Sequence, residues 1–347
     1  MKRAPQVVAV SFAFSALAAA LPAAAVPPDT PVEPLPATPF MGWSNAYRLA
    51  NGALEVVVVP EVGRIVHLAQ PGKPNLLTLQ EAHHGFVPAL EGEPDWKNIG
   101  GEWLWPVAQS RWVDIQGRDW PPPPVLGDRP WQASAWIGAD GAARTRMTQS
   151  YAEPIEVQVR RTIALDPERA RLTIDQRLSR TADSRFPVAL WQLLQVATPS
   201  RVYLPVEADS IFENGYRSFF DPPAPEIMER HHDVLVLDTE APGEFKLGSD
   251  SPRTWIAART AGLLILLRAE AEETAPPYPD GGCTLQVYSN RGLGYAEIET
   301  LSIERDLAVN ESIENRLIVE LLPIEEDACD SEAVAQLKRH MGETKGE

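Results

Sequence analysis

The sequence predicts an all-β protein of packed antiparallel sheets, and three observations carry that expectation. Apolar and polar residues alternate with period two: Ile155, Val157 and Val159 against Glu156, Gln158 and Arg160, and Leu172 and Ile174 against Thr173 and Asp175. Further β-like runs fall at 54–59, 131–137, 189–196, 234–237, 255–258, 263–267, 284–288, 295–301 and 313–321. Turn pairs separate them, among them Asn51-Gly52, Asp140-Gly141, Asp166-Pro167 and Gly281-Gly282. Only the stretch from Ser331 to Met341 reads as a clear helix, with Ser331 as its expected N-cap. Such a set of strands must bury its apolar faces sheet on sheet.

The chain opens with Lys2 and Arg3, an apolar run from Val7 to Leu21, then Pro22 and the small residues Ala23, Ala24 and Ala25. That order is the one a cleavable secretory signal takes, and the run is shorter than the roughly 20 residues a spanning helix needs. The expected organisation is a signal peptide over 1–25, a proline-rich leader over 26–44, one β-sandwich domain over 45–325 and a helix and tail over 326–347. The leader is expected to be extended or disordered, since 26–40 holds six prolines. The expected location is periplasmic or secreted.

The formal net charge is -17, and removing Lys2 and Arg3 takes it to -19. So acidic a protein repels nucleic acid and anionic membrane, and no membrane association is expected after cleavage. Nine arginines lie between Arg144 and Arg185, many at alternate positions, which marks the solvated face of strands or an anion site. Cys283 and Cys329 permit one disulfide in an oxidising compartment. No metal site or cofactor is expected, because zinc, nucleotide and dinucleotide motifs and the serine-hydrolase elbow are missing.

Two patterns bear on chemistry. Seven of the ten tryptophans fall between Trp96 and Trp136, beside Gly100-Gly101 and the run of prolines that follows Trp120. The prolines argue for a long ordered loop region that presents aromatics. Flat indoles such as Trp103, Trp105 and Trp120 suit the apolar face of a sugar ring, with Glu102, Gln109 and Arg111 nearby to bind hydroxyls. The competing reading is that these tryptophans plug one end of the core. In the second pattern, Tyr295, Glu297 and Glu299 alternate with Ala296, Ile298 and Thr300, so a strand sets both carboxylates on one face, about 7 Å apart. Mutual repulsion raises at least one pKa and suits it to general acid or base work, whereas a solvent-facing strand of an acidic protein would show the same spacing. Histidines come as His83-His84 and His231-His232, each a candidate proton donor.

The segment from Asn51 to Ile65 resembles the opening strands of galactose mutarotase-like proteins. Gly100-Gly101-Glu102-Trp103-Leu104-Trp105-Pro106, Trp120-Pro121-Pro122, Tyr278-Pro279-Asp280-Gly281-Gly282 and Tyr295-Ala296-Glu297-Ile298-Glu299-Thr300-Leu301 look closest to a bacterial mutarotase-like family of unknown function. The likeness spans 45–322. It implies a β-supersandwich with a sugar cleft across one sheet, a glutamate that takes the proton of the anomeric hydroxyl, and a histidine that protonates the ring oxygen. Glu299 best matches that glutamate and Glu297 is second. The histidine strand aligns with Trp191-Gln192-Leu193-Leu194, so the expected acid is absent there, and His232 or His84 would have to substitute from a loop. Gln192 and Tyr295 join the expected ligand-binding residues.

The combined expectation is an extracytoplasmic carbohydrate-binding protein with aldose 1-epimerase-like chemistry. The alternatives are a non-catalytic glycan-binding or assembly module and, last, a polysaccharide lyase-like enzyme, which would need the arginines of 144–185 to line its cleft.

Overall fold

The computed structural model describes residues 27–88, 96–199, 201–220, 225–270 and 278–343; the expected signal peptide lies outside them. Two large antiparallel sheets pack face to face. The ten-stranded sheet runs, edge to edge, through Arg217–Ser218, Glu244–Ser249, Leu285–Asn290, Tyr295–Leu301, Trp191–Ala197, Glu102–Trp105, Arg64–Ala69, Glu55–Val59, Trp43–Ala50 and Thr38–Phe40. The eleven-stranded sheet runs through Pro31–Pro34, Gln132–Gly138, Ala143–Tyr151, Val157–Leu165, Arg171–Arg180, Ser312–Pro323, Leu263–Ala269, Trp255–Thr260, Arg201–Pro205, Val234–Asp238 and Met228–His231. This is the expected all-β sandwich. The alternation at 157–165 and 171–180 resolves as foreseen, with Val157, Val159, Ile163, Leu172, Ile174 and Leu178 all inside.

The proline-rich stretch supplies edge strands to both sheets: Pro31–Pro34 pairs with Gln132–Gly138, and Thr38–Phe40 with Trp43–Ala50. An edge is where a strand tolerates prolines, since one side of it needs no donors. The helix Asp330–Met341 packs Ala333, Val334 and Leu337 against Tyr203, Trp255 and Leu266 on the outer side of the eleven-stranded sheet. Its N-cap is Cys329 rather than Ser331, and the Cys329 N–H donates to the Glu332 carboxylate at 2.8 Å. Cys329 is therefore exposed at the helix start while Cys283 is buried just before the Leu285–Asn290 strand of the other sheet, and both thiols are free, so the permitted disulfide does not form.

Polar residues cross the interior between the sheets. Arg161 donates to Glu102, Gln192 donates to Glu102 and to the Trp103 carbonyl at 2.7 Å, and Gln176 donates to Gln192 at 2.6 Å. All four side chains are buried. They replace apolar residues at the middle of their strands, so one hydrophobic cluster holds Ile163, Ile174 and Leu194 while a second holds Val159, Leu178 and Leu190. A buried charge pair is costly to break from one side, because the remaining ion keeps its desolvation penalty.

Two expectations are corrected here. Glu102 and Gln192, proposed as sugar contacts, point into this interior and meet each other, because even-numbered positions of both strands face the opposite sheet. Glu102→Ala should lower stability by about 3–5 kcal/mol in urea unfolding, and the double replacement of Glu102 and Arg161 by leucine and methionine should recover most of that loss.

Candidate active site on the ten-stranded sheet

The outward face of the ten-stranded sheet carries the residues that interior packing rejects. On Tyr295–Leu301 these are Tyr295, Glu297 and Glu299; on Trp191–Ala197, Trp191, Leu193 and Gln195; on Glu102–Trp105, Trp103 and Trp105. Register brings them side by side, with Glu297 opposite Gln195 and Tyr288, and Glu299 opposite Leu193 and Gln286. Tyr288 in turn stands opposite Lys246. A cleft of about 480 Å³ lies over this patch, lined by Trp96, Trp103, Trp105, Trp120 and Trp191, by Phe220, Tyr288 and Tyr295, and by Asp119, Glu244, Lys246 and Glu297.

The tryptophans do both things the sequence left open. Trp112 is fully buried and packs edge-on against Trp105 at 5.0 Å, and Trp105 meets Trp191 at 5.0 Å, so part of the group is core. Trp120, by contrast, is 51% exposed and packs edge-on against Trp96 at 4.9 Å, forming one wall of the cleft. Trp103 and Trp105 do not sit on a loop, as the neighbouring prolines suggested, but on a four-residue strand inside the sheet. Gly100 and Gly101 allow that strand to enter: both have positive φ, and a Cβ would stand 2.1 Å from the Thr78 carbonyl oxygen at the first and 2.3 Å from that of Ile65 at the second. Arg64 supports Trp103, its guanidinium 4.2 Å from the ring centroid while it holds both oxygens of Asp128.

The carboxylates differ in access. Glu297 lines the cleft and accepts a hydrogen bond from Gln195 at 2.7 Å. Burial, and then the charge of Glu299, push its pKa up to about 7. Glu299 is fully buried beneath, accepts from the Trp191 indole N–H at 2.7 Å, and lies 3.7 Å from the Lys246 ammonium; burial raises its pKa as well. Lys246 is itself buried, donates to Gln109 at 3.0 Å, and sits 5.0 Å from the Trp191 ring centroid. Asp280 ties the Gln109 loop to the sheet, accepting from the Ser110 N–H at 3.0 Å and from Gln286 at 2.8 Å. Tyr295 accepts from Asn98 at 3.0 Å.

Of the expected site residues, the fold gathers Glu297, Glu299, Trp103, Trp105, Trp120, Gln109 and Tyr295 in or directly under this cleft. Arg111 is not among its lining residues; it is held in an ion pair with Glu304, which anchors the loop from below. His232 is misplaced as a proton donor. It occupies a positive-φ turn between Met228–His231 and Val234–Asp238, at the edge of the opposite sheet. His84 packs on Trp43, at the far end of the ten-stranded sheet from the cleft. Among the described residues no histidine lines the cleft. The residue that sequence reasoning missed is Lys246. Its strand alternates Phe245 and Leu247 inward with Glu244 and Lys246 outward, a signal for a half-buried strand but not for its neighbours.

The arginines of 144–185 serve structure elsewhere. Arg146, Arg160 and Arg177 share a polar groove on the outer face of the eleven-stranded sheet with Asp175, Glu270 and Glu314, while Arg180 donates to the carbonyls of Ile155 and Phe186. Among the described residues no group of three His, Cys, Asp or Glu side chains is arranged to hold a metal ion.

Over residues 45–292 the chain matches the sequence profile of a family described as a domain of unknown function (DUF4380). The chain belongs to that family. None of the curated proteins compared matches it. For this family member, solved structures supply the fold. A galactose mutarotase-like protein from Lactobacillus casei aligns with a TM-score of 0.53 at 12% identity, covering 80% of this chain and 100% of that one. A similar protein from Clostridium acetobutylicum aligns with a TM-score of 0.51 at 12% identity, covering 81% and 96%. An aldose 1-epimerase-like protein from Klebsiella pneumoniae reaches 0.56 at 12% identity, covering 88% and 85%. The sandwich of this DUF4380 protein is thus the galactose mutarotase-like fold, as its sequence motifs implied.

The raised pKa of Glu297 has a thermodynamic consequence. Below the ordinary glutamate range the carboxyl is protonated in both folded and unfolded chains; as pH rises from that range to about 7 the unfolded chain ionises while the folded carboxyl keeps its proton, so stability falls over this transition and is level above it. Glu297→Gln should therefore gain about 1–3 kcal/mol over the wild type at pH above this transition and little below it, read from urea unfolding across the pH range.

Proposed function

We propose that this protein is an extracytoplasmic carbohydrate-binding protein whose cleft interconverts the anomers of an aldose. The observation that carries the reading is the meeting of five indoles, three from the sheet and two from the loops over it, with Glu297, Glu299 and Lys246. Indole faces take the apolar C–H face of a pyranose, and the side chains of Asn98, Gln109 and Asn290 among the lining residues offer polar groups to its hydroxyls.

Glu297, at the cleft surface, is the base of this scheme, ahead of the deeper Glu299. Its carboxylate takes the proton of the anomeric hydroxyl, a C1=O double bond forms, and the C1–O5 bond breaks with its electron pair going to the ring oxygen. That oxygen takes a proton from the Lys246 ammonium, the one cationic group among the lining residues. Rotation about C1–C2 and reclosure on the other face return both protons. Glu299 holds Lys246 in place, with Gln109 fixing a second direction of its amino group.

In this reading, the rate of equilibration of freshly dissolved α-glucose or α-galactose, followed by NMR, rises with pH through about 7 as Glu297 ionises. Glu297→Gln and Lys246→Met should each lower it by about 10²-fold or more. Wild-type protein that leaves the uncatalysed rate unchanged would sink the enzyme. A non-catalytic glycan-binding role is the second reading, favoured by the lack of a histidine among the lining residues; tryptophan emission that shifts with sugar, with no faster equilibration, is its signature.

Export rests on the N-terminal order of Lys2 and Arg3, the apolar run from Val7 to Leu21, Pro22 and the small residues Ala23, Ala24 and Ala25. Expressed with its own N-terminus, the protein should appear in the extracytoplasmic fraction beginning at Val26; full-length chain retained with the cytoplasm would refute it.

A further inference from the structure

The charges lining the cleft do not balance. Asp119, Glu244 and Glu297 face a single ammonium, Lys246, and that ammonium is already matched by Glu299 at 3.7 Å from below. Asp119 and Glu244 are exposed at the cleft mouth. Glu244 accepts the Tyr288 hydroxyl at 2.7 Å, and among the described residues Asp119 receives no hydrogen bond and forms no ion pair. Beside them stand aromatic faces: Trp120 against Trp96, and Phe220 edge-on to Tyr288 at 6.4 Å. Carboxylates set among aromatic faces attract cations twice over, through their charge and through the ring quadrupoles, and they repel anions. A neutral pyranose offers these carboxylates hydroxyl donors but no positive charge to match their own.

We propose that the ligand of this cleft is a sugar carrying a protonated amine, its ammonium directed to Asp119 and Glu244 at the mouth while the ring lies on the indoles. The inference rests on the sugar-binding reading and narrows it to one substrate class. Uronates and sugar phosphates are disfavoured by the same charges.

Affinities of the full chain for glucosamine, glucose, N-acetylglucosamine and glucuronate, measured by tryptophan emission and calorimetry below the pKa of the amine, test it. Glucosamine should bind about tenfold more tightly than glucose, with N-acetylglucosamine near glucose and glucuronate weakest. High salt should compress the ratio of glucosamine to glucose affinity, and Asp119→Asn with Glu244→Gln should bring it towards one; circular dichroism verifies that the variant folds, and the salt series on wild-type protein stands independently of it. Glucose or glucuronate equal to or tighter than glucosamine overturns the proposal and leaves the sugar-binding reading intact. A ratio that survives in both the variant and high salt overturns the assignment to these carboxylates. Failure of every sugar to bind overturns the sugar-binding reading itself.

Discussion

The buried contact of Arg161 with Glu102 and Gln192 is the constraint on which the cleft depends. It joins the two sheets across their interior, and its acceptor residues sit on the two strands that carry Trp103, Trp105 and Trp191 on their opposite face. Strand geometry makes these roles inseparable: with Glu102 and Gln192 turned inward, their neighbours must turn outward. A shift of either strand by one residue would bury the indoles and expose the ion pair. The polar belt thus sets the register of the site from behind it.

On the outer face, burial does the chemical tuning. Lys246 and Glu299 lie under indole rings, out of water, and each is tolerated there because the other is present. Glu297, two residues along the same strand, lines the cleft, near enough to Glu299 to feel its charge and open enough to meet a ligand. The supporting loops are held by charged groups that do not line the cleft: Arg111 on Glu304, Asp280 on Ser110 and Gln286, and Arg64 on Asp128 beneath Trp103. A rigid sheet with pinned loops gives a site whose polar groups are oriented before anything binds.

Much of this was legible one strand at a time. Val157, Val159 and Ile163 alternate with exposed or half-buried residues, so their period reports a face. Glu297 and Glu299 declared their common side in the same way. Glu102–Trp105 was not legible as a strand, because all four residues are buried and no alternation of polarity survives. Arg111 and Glu102 stand close in sequence to the tryptophans, yet pleating and pairing send them to Glu304 and to the core. His232 stands out in the sequence only by its rarity, and rarity carries no position.

By itself the sequence determined the class of the fold, the common face of the two glutamates and the concentration of indoles near one site, because each is written in local spacing. Which side chains meet was decided by the tertiary structure alone. Lys246 reaches Glu299 only because the Glu244–Ser249, Leu285–Asn290 and Tyr295–Leu301 strands lie side by side, and pairing between strands distant in the chain follows from packing the whole sandwich, not from any local pattern.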